Sequence, residues 1–279
     1  MDGAIDLGKF DGILICTDLD GTLYRNDKTI SRENKEAIEY FKDEGGYFTF
    51  ITGRMPGYSL DAYNAINPNV PFGCINGGGV YDGKAKKYIW KQEMPLGFLD
   101  LIQNIDEQFS DVGIQVCLFD KTCFVKENQT MKHFRKETGL PNIVCDYREI
   151  TDPVAKVIFG TDSEEEMQGV MKTLLEHPLS EKYDFIRSQK NLFEILPKGV
   201  NKGLSVTRLV EYLGIDIKKT VAIGDYDNDV GMFLAAGVGI AVSNAAKSAL
   251  EACDYITVSN EEHAICRVIS DLEKGKYPI

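Results

Sequence analysis

The sequence predicts an α/β protein: a doubly wound, Rossmann-like core on a parallel sheet, with a second α+β domain inserted into it. Three observations point there. Short apolar runs of strand type alternate with helix-periodic segments at both ends of the chain. Between about Tyr81 and Leu196 the pattern changes to paired strands with interspersed helices. Acidic motifs directly follow two of the outer strands, at the carboxyl ends where open α/β sheets place their ligands. A chain of 279 residues has room for two domains. The expected division is a split core of residues 1–80 and 197–279, with residues 81–196 as the insertion.

Taken in order, Gly12 to Thr17 is a buried-strand run, and Ser31 is placed to cap a helix whose Ala37, Ile38 and Phe41 share one face. Gly45-Gly46 ends that helix, Tyr47 to Thr52 forms the second strand, and Pro56 suits the opening of another helix. Phe72 to Asn76 leads into a break at Gly77-Gly78-Gly79. Within the insertion, Tyr88 to Glu93 reads as a strand, and a helix after Pro95 presents Phe98, Leu101, Ile102, Ile105 and Phe109 at helical spacing. Ile114, Val116 and Leu118 alternate as in a half-buried strand, with Thr122 to Lys126 as hairpin partner. Ser163 and Glu166 form a capping box ahead of the stripe Met167, Val170, Met171, Leu174 and Leu175. Two further strands, Tyr183 to Ser188 and Asn191 to Leu196, close the insertion. The α/β pattern then resumes: a helix from Lys202 to Leu213 ended by Gly214, strands at Thr220 to Gly224, Gly239 to Val242 and Tyr255 to Val258, and a short helix for which Asp227 is the expected N-cap.

Composition narrows the function. With 43 acidic against 31 basic residues the formal charge is -12, which disfavours nucleic acid and anionic membranes as partners. There is no apolar run of about 18 residues that would span a bilayer, and the start MDGAIDLGKFDG lacks a signal-peptide pattern, so the expectation is a cytoplasmic protein. Seven cysteines without a C-x-x-C pair read as reduced, buried thiols. A small anionic substrate would need a local positive site, which a metal can supply.

The chemistry gathers at strand ends. Asp18 and Asp20, two residues apart at the end of the first strand, project to the same side. Two carboxylates that close repel unless a cation separates them or one is protonated. Thr52-Gly53-Arg54 ends the second strand and offers a hydroxyl and a flexible N–H suited to phosphate oxygens. Gly224-Asp225-Tyr226-Asp227-Asn228-Asp229 ends a later strand with further hard oxygen ligands, the kind Mg²⁺ prefers. Lys202 opens a helix, so its ammonium and the helix N-terminal amides can face one anion.

In these residues the sequence resembles the haloacid dehalogenase superfamily of phosphohydrolases, specifically its Cof-type branch with a class IIB cap. The four signatures occur in order: DLDGTL at Asp18, the Thr of ITGR at Thr52, a lysine at Lys202 and GDYDND at Asp225. Asn76-Gly77-Gly78 is similar to the N-G that precedes the cap in that branch, and Asn201 stands where a serine is common. The resemblance implies that Asp18 is the nucleophile of an aspartyl-phosphate mechanism and Asp20 the general acid and base. It implies a Mg²⁺ held by Asp18, the Asp20 carbonyl and Asp225. Thr52, Gly53 and Lys202 would bind the phosphoryl group; Arg54 either reaches substrate or pairs with a carboxylate. Asn228 falls among the substrate-side residues and, with Asp229, would support the metal and Lys202 from behind.

The expected function is therefore a Mg²⁺-dependent phosphatase acting on a small phosphorylated metabolite, such as a sugar phosphate. A sugar phosphomutase is the alternative, since phosphomannomutases share the aspartyl nucleophile; a catalytically silent binding protein on the same fold is a second. Filled charged positions disfavour the latter, because burying so many carboxylates without use costs stability. The motifs encode neither the leaving group nor the oligomeric state; Lys121, Arg187 and Glu194 are candidate contacts in the insertion.

Overall fold

The computed structural model describes residues 8–279. They divide into two compact units: one built from the chain up to Trp90 together with Asn201–Ile279, the other from Lys91–Val200.

In chain order the first unit begins with β1 (Leu14–Thr17), α1 (Arg32–Asp43), β2 (Tyr47–Phe50), α2 (Leu60–Ile66), β3 (Phe72–Cys74), β4 (Gly79–Asp82) and β5 (Lys87–Lys91). The second holds α3 (Phe98–Gln108), β6 (Gly113–Leu118), β7 (Thr122–Lys126), α4 (Gln129–Thr138), β8 (Val154–Gly160), α5 (Glu164–Leu175), β9 (Tyr183–Gln189) and β10 (Leu192–Pro197). The chain then returns to the first unit with α6 (Lys202–Leu213), β11 (Thr220–Gly224), α7 (Val230–Ala235), β12 (Val238–Ala241), α8 (Lys247–Ala252), β13 (Tyr255–Ile256) and α9 (Ala264–Glu273).

The first unit carries a parallel sheet in the order β13-β12-β11-β1-β2. Its central strands are covered on both faces and mostly apolar: every residue of β1 and β11 is buried, with Thr17 and Thr220 the polar exceptions. The second unit carries an antiparallel sheet in the order β7-β6-β8-β10-β9. One face of it presents Val116, Val157 and Ile195 to a core shared with Leu101 and Ile105 of α3 and Met167 and Val170 of α5. Helix ends follow their signals. Ser31 accepts from the Asn34 N–H, Ser163 accepts from the Glu166 N–H, and Asn201 opens α6 by accepting from the Gly203 N–H. Gly214 ends α6 in the left-handed conformation.

Several expectations are corrected. The stretch after Tyr81 stays with the first unit: β3, β4 and β5 form a three-stranded sheet of their own, joined to β2 by an isolated bridge between Ile51 and Gly73. The break expected at the glycines is the turn of the β3–β4 hairpin, which starts earlier, with Ile75, Asn76 and Gly77 at φ of 58°, 51° and 99°, while Gly79 already pairs with Cys74 in β4. Gly77 is required there, since a Cβ would lie 1.8 Å from the Asn201 carbonyl oxygen. Strand β6 is buried on both faces, not one: Gln115 and Cys117 on its other side are as buried as Ile114 and Val116. Leu175, counted in the stripe of α5, is 53% exposed at the helix end. Four of the seven free cysteines are buried and three partly so. Among the described residues no helix is long and apolar enough to cross a membrane.

Candidate active site

The site is assembled by strand register in the first unit. Thr17 of β1 pairs with Ile223 of β11 on one side and with Phe50 of β2 on the other, so all three strands end at the same level. Asp18 continues β1, donating its N–H to the Ile223 carbonyl at 2.8 Å. Asp225 follows the end of β11, and Thr52 lies just past β2.

Lys202, at the first turn of α6, is the hub. Its Nζ lies 2.6 Å from Asp18 Oδ1 and also donates to Asp229 Oδ1, with the lysine only 1% exposed. The second oxygen of Asp229 accepts from the backbone N–H groups of Asp225 and Tyr226 at 2.8 and 2.9 Å. The residue before α7 is thus Asp229 and not Asp227, and its side chain makes no cap bond to that helix but reaches back to the end of β11. Asp227 instead accepts from the Ser248 hydroxyl.

Asp225 Oδ1 accepts from Thr22 Oγ1 at 2.8 Å, and its other oxygen presses on Gly21, where a Cβ would come within 2.4 Å. Gly21 has φ of 82°, so glycine is needed there for conformation and for space. Asn244 fixes the same turn by donating to the Gly21 carbonyl.

Asp20 stands apart from that cluster and is tied by two cations: Lys28 Nζ at 2.9 Å from Oδ1 and an Arg54 guanidinium nitrogen at 2.7 Å from Oδ2. Thr52 is buried, and its Oγ1 accepts from the Arg54 N–H at 3.3 Å. Gly53 lies against the Asn76 side chain, whose Oδ1 also accepts from Asn228 Nδ2 at 3.1 Å. The structure thus brings Asp18, Lys202, Asp225 and Asp229 into one cluster, couples Asp20 to Arg54, and links Gly53 and Asn228 through Asn76. Sequence reasoning overlooked Thr22 and Lys28 as partners of these carboxylates. Thr22 lies inside the DLDGTL motif and was visible; Lys28, an isolated lysine in a polar turn, carried no signal.

Electrostatics divides the carboxylates. Burial raises Asp18 above the usual carboxylate range, and Asp229 and Asp225 add to it while Lys202 opposes. Asp225 is pushed up to about 6 by burial and by Asp229, against Thr22 and Lys202. Asp20 behaves oppositely: burial acts to raise it, but Arg54 and Lys28 together outweigh burial and hold it low. Burial would lower Lys202, yet Asp18 and Asp229 more than compensate and keep it charged.

Oxygens of Asp18, Asp225 and Asp229 lie within 4.8 Å of one another. With all three carboxylates ionised, the form a bound cation would favour, they leave two negative charges against the one ammonium. Asp229 has both oxygens engaged, by Lys202 and by the Asp225 and Tyr226 N–H groups, so Asp18 and Asp225 are the carboxylates left to face a cation. An all-oxygen set with that charge fits a hard divalent ion.

In the second unit, Arg187 pairs with Glu164, Lys121 with Asp152, and Glu194 with Lys156 at 2.7 Å in a buried contact.

Comparison with known proteins agrees with this geometry. The family model of the haloacid dehalogenase-like hydrolases matches residues 15–269. A 5-amino-6-(5-phospho-D-ribitylamino)uracil phosphatase of Bacillus subtilis, YwtE, is 30% identical over 290 residues, covering 94% of this chain and 99% of its own. The pyridoxal phosphate phosphatase YbhA of Escherichia coli is 26% identical over 272 residues, covering 92% of this chain and 97% of its own. Among solved structures, a haloacid dehalogenase-like hydrolase from Bacteroides thetaiotaomicron superposes with a TM-score of 0.82 at 25% identity, over 93% of this chain and 99% of that one. The chain therefore belongs to the haloacid dehalogenase-like hydrolases, in their Cof-type branch, and is a phosphoric monoester hydrolase.

Proposed function

We propose that the protein is a Mg²⁺-dependent phosphatase of a small phosphorylated metabolite and that it works through a phosphoryl group carried on Asp18. The observation that carries this reading is the Asp18 carboxylate itself: buried, at the end of β1, with one oxygen on Lys202 and an oxygen within 4.8 Å of the Asp225 carboxylate. Mg²⁺ held by Asp18, the Asp20 carbonyl and Asp225 would screen the charge of the phosphoryl group and polarise it.

Each protein group then has a task. Asp18 Oδ2 attacks phosphorus while Lys202 holds Oδ1, which fixes the carboxylate and draws charge from the phosphoryl oxygens. Thr52 Oγ1 and the Gly53 N–H bind those oxygens at the end of β2, and Arg54 stands beside them. Asp20, ionised in the free site beside Arg54 and Lys28, must first take up a proton; it gives that proton to the leaving oxygen as the phosphorus–oxygen bond breaks, then takes one from the water that releases phosphate from Asp18. Asp229 keeps Lys202 charged and in place; Asn228 and Asn76 brace the Gly53 backbone.

We assign the choice of metabolite to the inserted unit. Register places Gln115, Ile158 and Glu194 on one face of its sheet, with Cys117 and Lys156 in the adjoining row, opposite the apolar face packed under α3 and α5. Gln115 is buried with an Oε1 that finds no partner among the described residues, which suits a polar leaving group. YwtE and YbhA, the relatives named above, act on phosphorylated small molecules and support the same size class.

Activity toward a panel of phosphorylated metabolites tests the reading. Asp18→Asn should abolish turnover of every substrate; chelation should silence the wild type, and Mg²⁺ should restore it where Zn²⁺ does not. Wild-type rates in Asp18→Asn, or full activity in chelator, would overturn it.

A further inference from the structure

We propose that Lys28 is a positioning residue for the reaction, locking the Asp20 carboxylate in the orientation from which it exchanges its proton. The inference rests on the reading of Asp20 as acid and base. It adds a residue that neither the motifs nor the family resemblance singles out.

The first observation is the pair of ties on Asp20. Lys28 Nζ takes Oδ1 at 2.9 Å and Arg54 takes Oδ2 at 2.7 Å, so each oxygen has its own cation and the carboxylate plane is fixed from both sides. With a single partner the carboxylate would remain free to rotate about its Cβ–Cγ bond.

The second observation is the backbone that presents Lys28. It sits at φ of 63°, a left-handed conformation that glycine or asparagine adopts more readily than lysine. The turn is nonetheless well built. Arg25 N–H donates to the Thr29 carbonyl, Lys28 N–H donates to the Arg25 carbonyl, and Asp27 Oδ1 accepts from both the N–H and the hydroxyl of Thr29.

The turn is also anchored from outside. Asn260 Nδ2 donates to the Tyr24 carbonyl at 3.0 Å, and the Asn26 N–H donates to Glu261 Oε1 at 2.7 Å. Tyr24 returns to the active-site loop through its N–H on the Leu19 carbonyl and a bridge to Asp20. A lysine kept in a costly conformation on an anchored turn, with its ammonium on the one carboxylate that must move a proton, is the arrangement expected of a functional constraint.

Stability does not account for it. The Lys28 side chain is 68% exposed and that of Asp20 42% exposed, and ion pairs so placed stabilise a fold little. Orientation does account for it, because a general acid a fraction of an ångström out of line loses much of its effect.

The test compares leaving groups. Single-turnover rates of phosphoryl transfer are measured with Mg²⁺ for phenyl phosphate, whose leaving oxygen needs a proton, and for 4-nitrophenyl phosphate, whose leaving oxygen does not. Variants are Lys28→Met, Lys28→Arg, Lys28→Gly and Asp20→Asn. Lys28→Met should slow the phenyl ester about 10-fold more than the nitrophenyl ester, with KM for either little changed. Lys28→Gly, which keeps the turn conformation at ease, should reproduce that selective loss, and Lys28→Arg should recover most of the rate. Equal losses on both esters, or a change confined to KM, would overturn the positioning role while Asp20→Asn still shows its own leaving-group dependence. If Asp20→Asn shows none, the assignment of Asp20 as proton donor falls and the role of Lys28 falls with it.

Discussion

Lys202 is 1% exposed and stands between Asp18 and Asp229, the latter fully buried. A lysine there is tolerable only because two carboxylates surround it, and the carboxylates are tolerable only because it is there. Lys202→Met should therefore destabilise the metal-free protein at neutral pH by about 3–5 kcal/mol, read from urea unfolding, and Mg²⁺ should recover part of the loss. An unchanged unfolding midpoint would show that water, not Lys202, solvates Asp18 and Asp229. Gly21 gives a second test. Its Cβ would fall 2.4 Å from Asp225 Oδ2 at a φ of 82°, so Gly21→Ala should push Asp225 aside and weaken Mg²⁺ binding, as titration calorimetry would show, at a stability cost of about 1–3 kcal/mol. Undiminished Mg²⁺ affinity would place the cation elsewhere. At this scale the motif carboxylates were legible in the sequence because strand periodicity and hard-ligand chemistry mark them. Lys28 was not, since its importance comes from a turn closed by Asn260 and Glu261 more than two hundred residues away.

Among the elements, α6 was readable from end to end because the signals at both termini are local: the Asn201 cap and Gly214. Strand β8 was not, because Lys156 interrupts its apolar run and makes sense only opposite Glu194 of β10, a partner the sequence does not name. The β3–β4 hairpin hid for a related reason: its turn puts Ile75, a β-branched residue, at positive φ, against every local preference. Helix α9 supplies a pH test. Asp271 is 5% exposed and accepts from Lys276 at 2.8 Å and from Arg267 at 3.1 Å. Burial works to raise its pKa, but those two cations prevail and hold it below the usual carboxylate value. The unfolded chain, with Asp near 3.9 on the model-peptide scale of about that value, binds the proton first as pH falls. The stabilisation is thus complete above about pH 4 and is lost as pH drops through the lower folded value. Because Arg267 and Lys276 are half-exposed, Asp271→Asn should cost only about 1 kcal/mol at pH 7. That cost should shrink toward zero in melts below pH 3; a deficit that does not change with pH would trace instead to lost packing.

Across the whole molecule, the reacting groups come from widely separated parts of the sequence and meet because β11, β1 and β2 are parallel neighbours in register. Asp18 and Asp225 are brought together by one pairing, and Lys202 enters from the helix that precedes β11. The net charge of -12 gives this local arrangement its purpose under the proposed function: a phosphorylated substrate repelled by the surface as a whole would be bound where Lys202 and a divalent cation reverse the field. The proposed mechanism puts the chemistry on the Asp18 carboxylate. The most direct measurement is an acid-quenched single turnover with enzyme in excess, Mg²⁺ present and 4-nitrophenyl phosphate labelled in its phosphoryl group, followed by peptide mapping. The label should be found on the peptide containing Asp18, be removed by hydroxylamine as an acyl phosphate is, and be absent in Asp18→Asn. Complete substrate cleavage with no label on the protein at any quench time would mean that water attacks phosphorus directly, and would contradict the central claim.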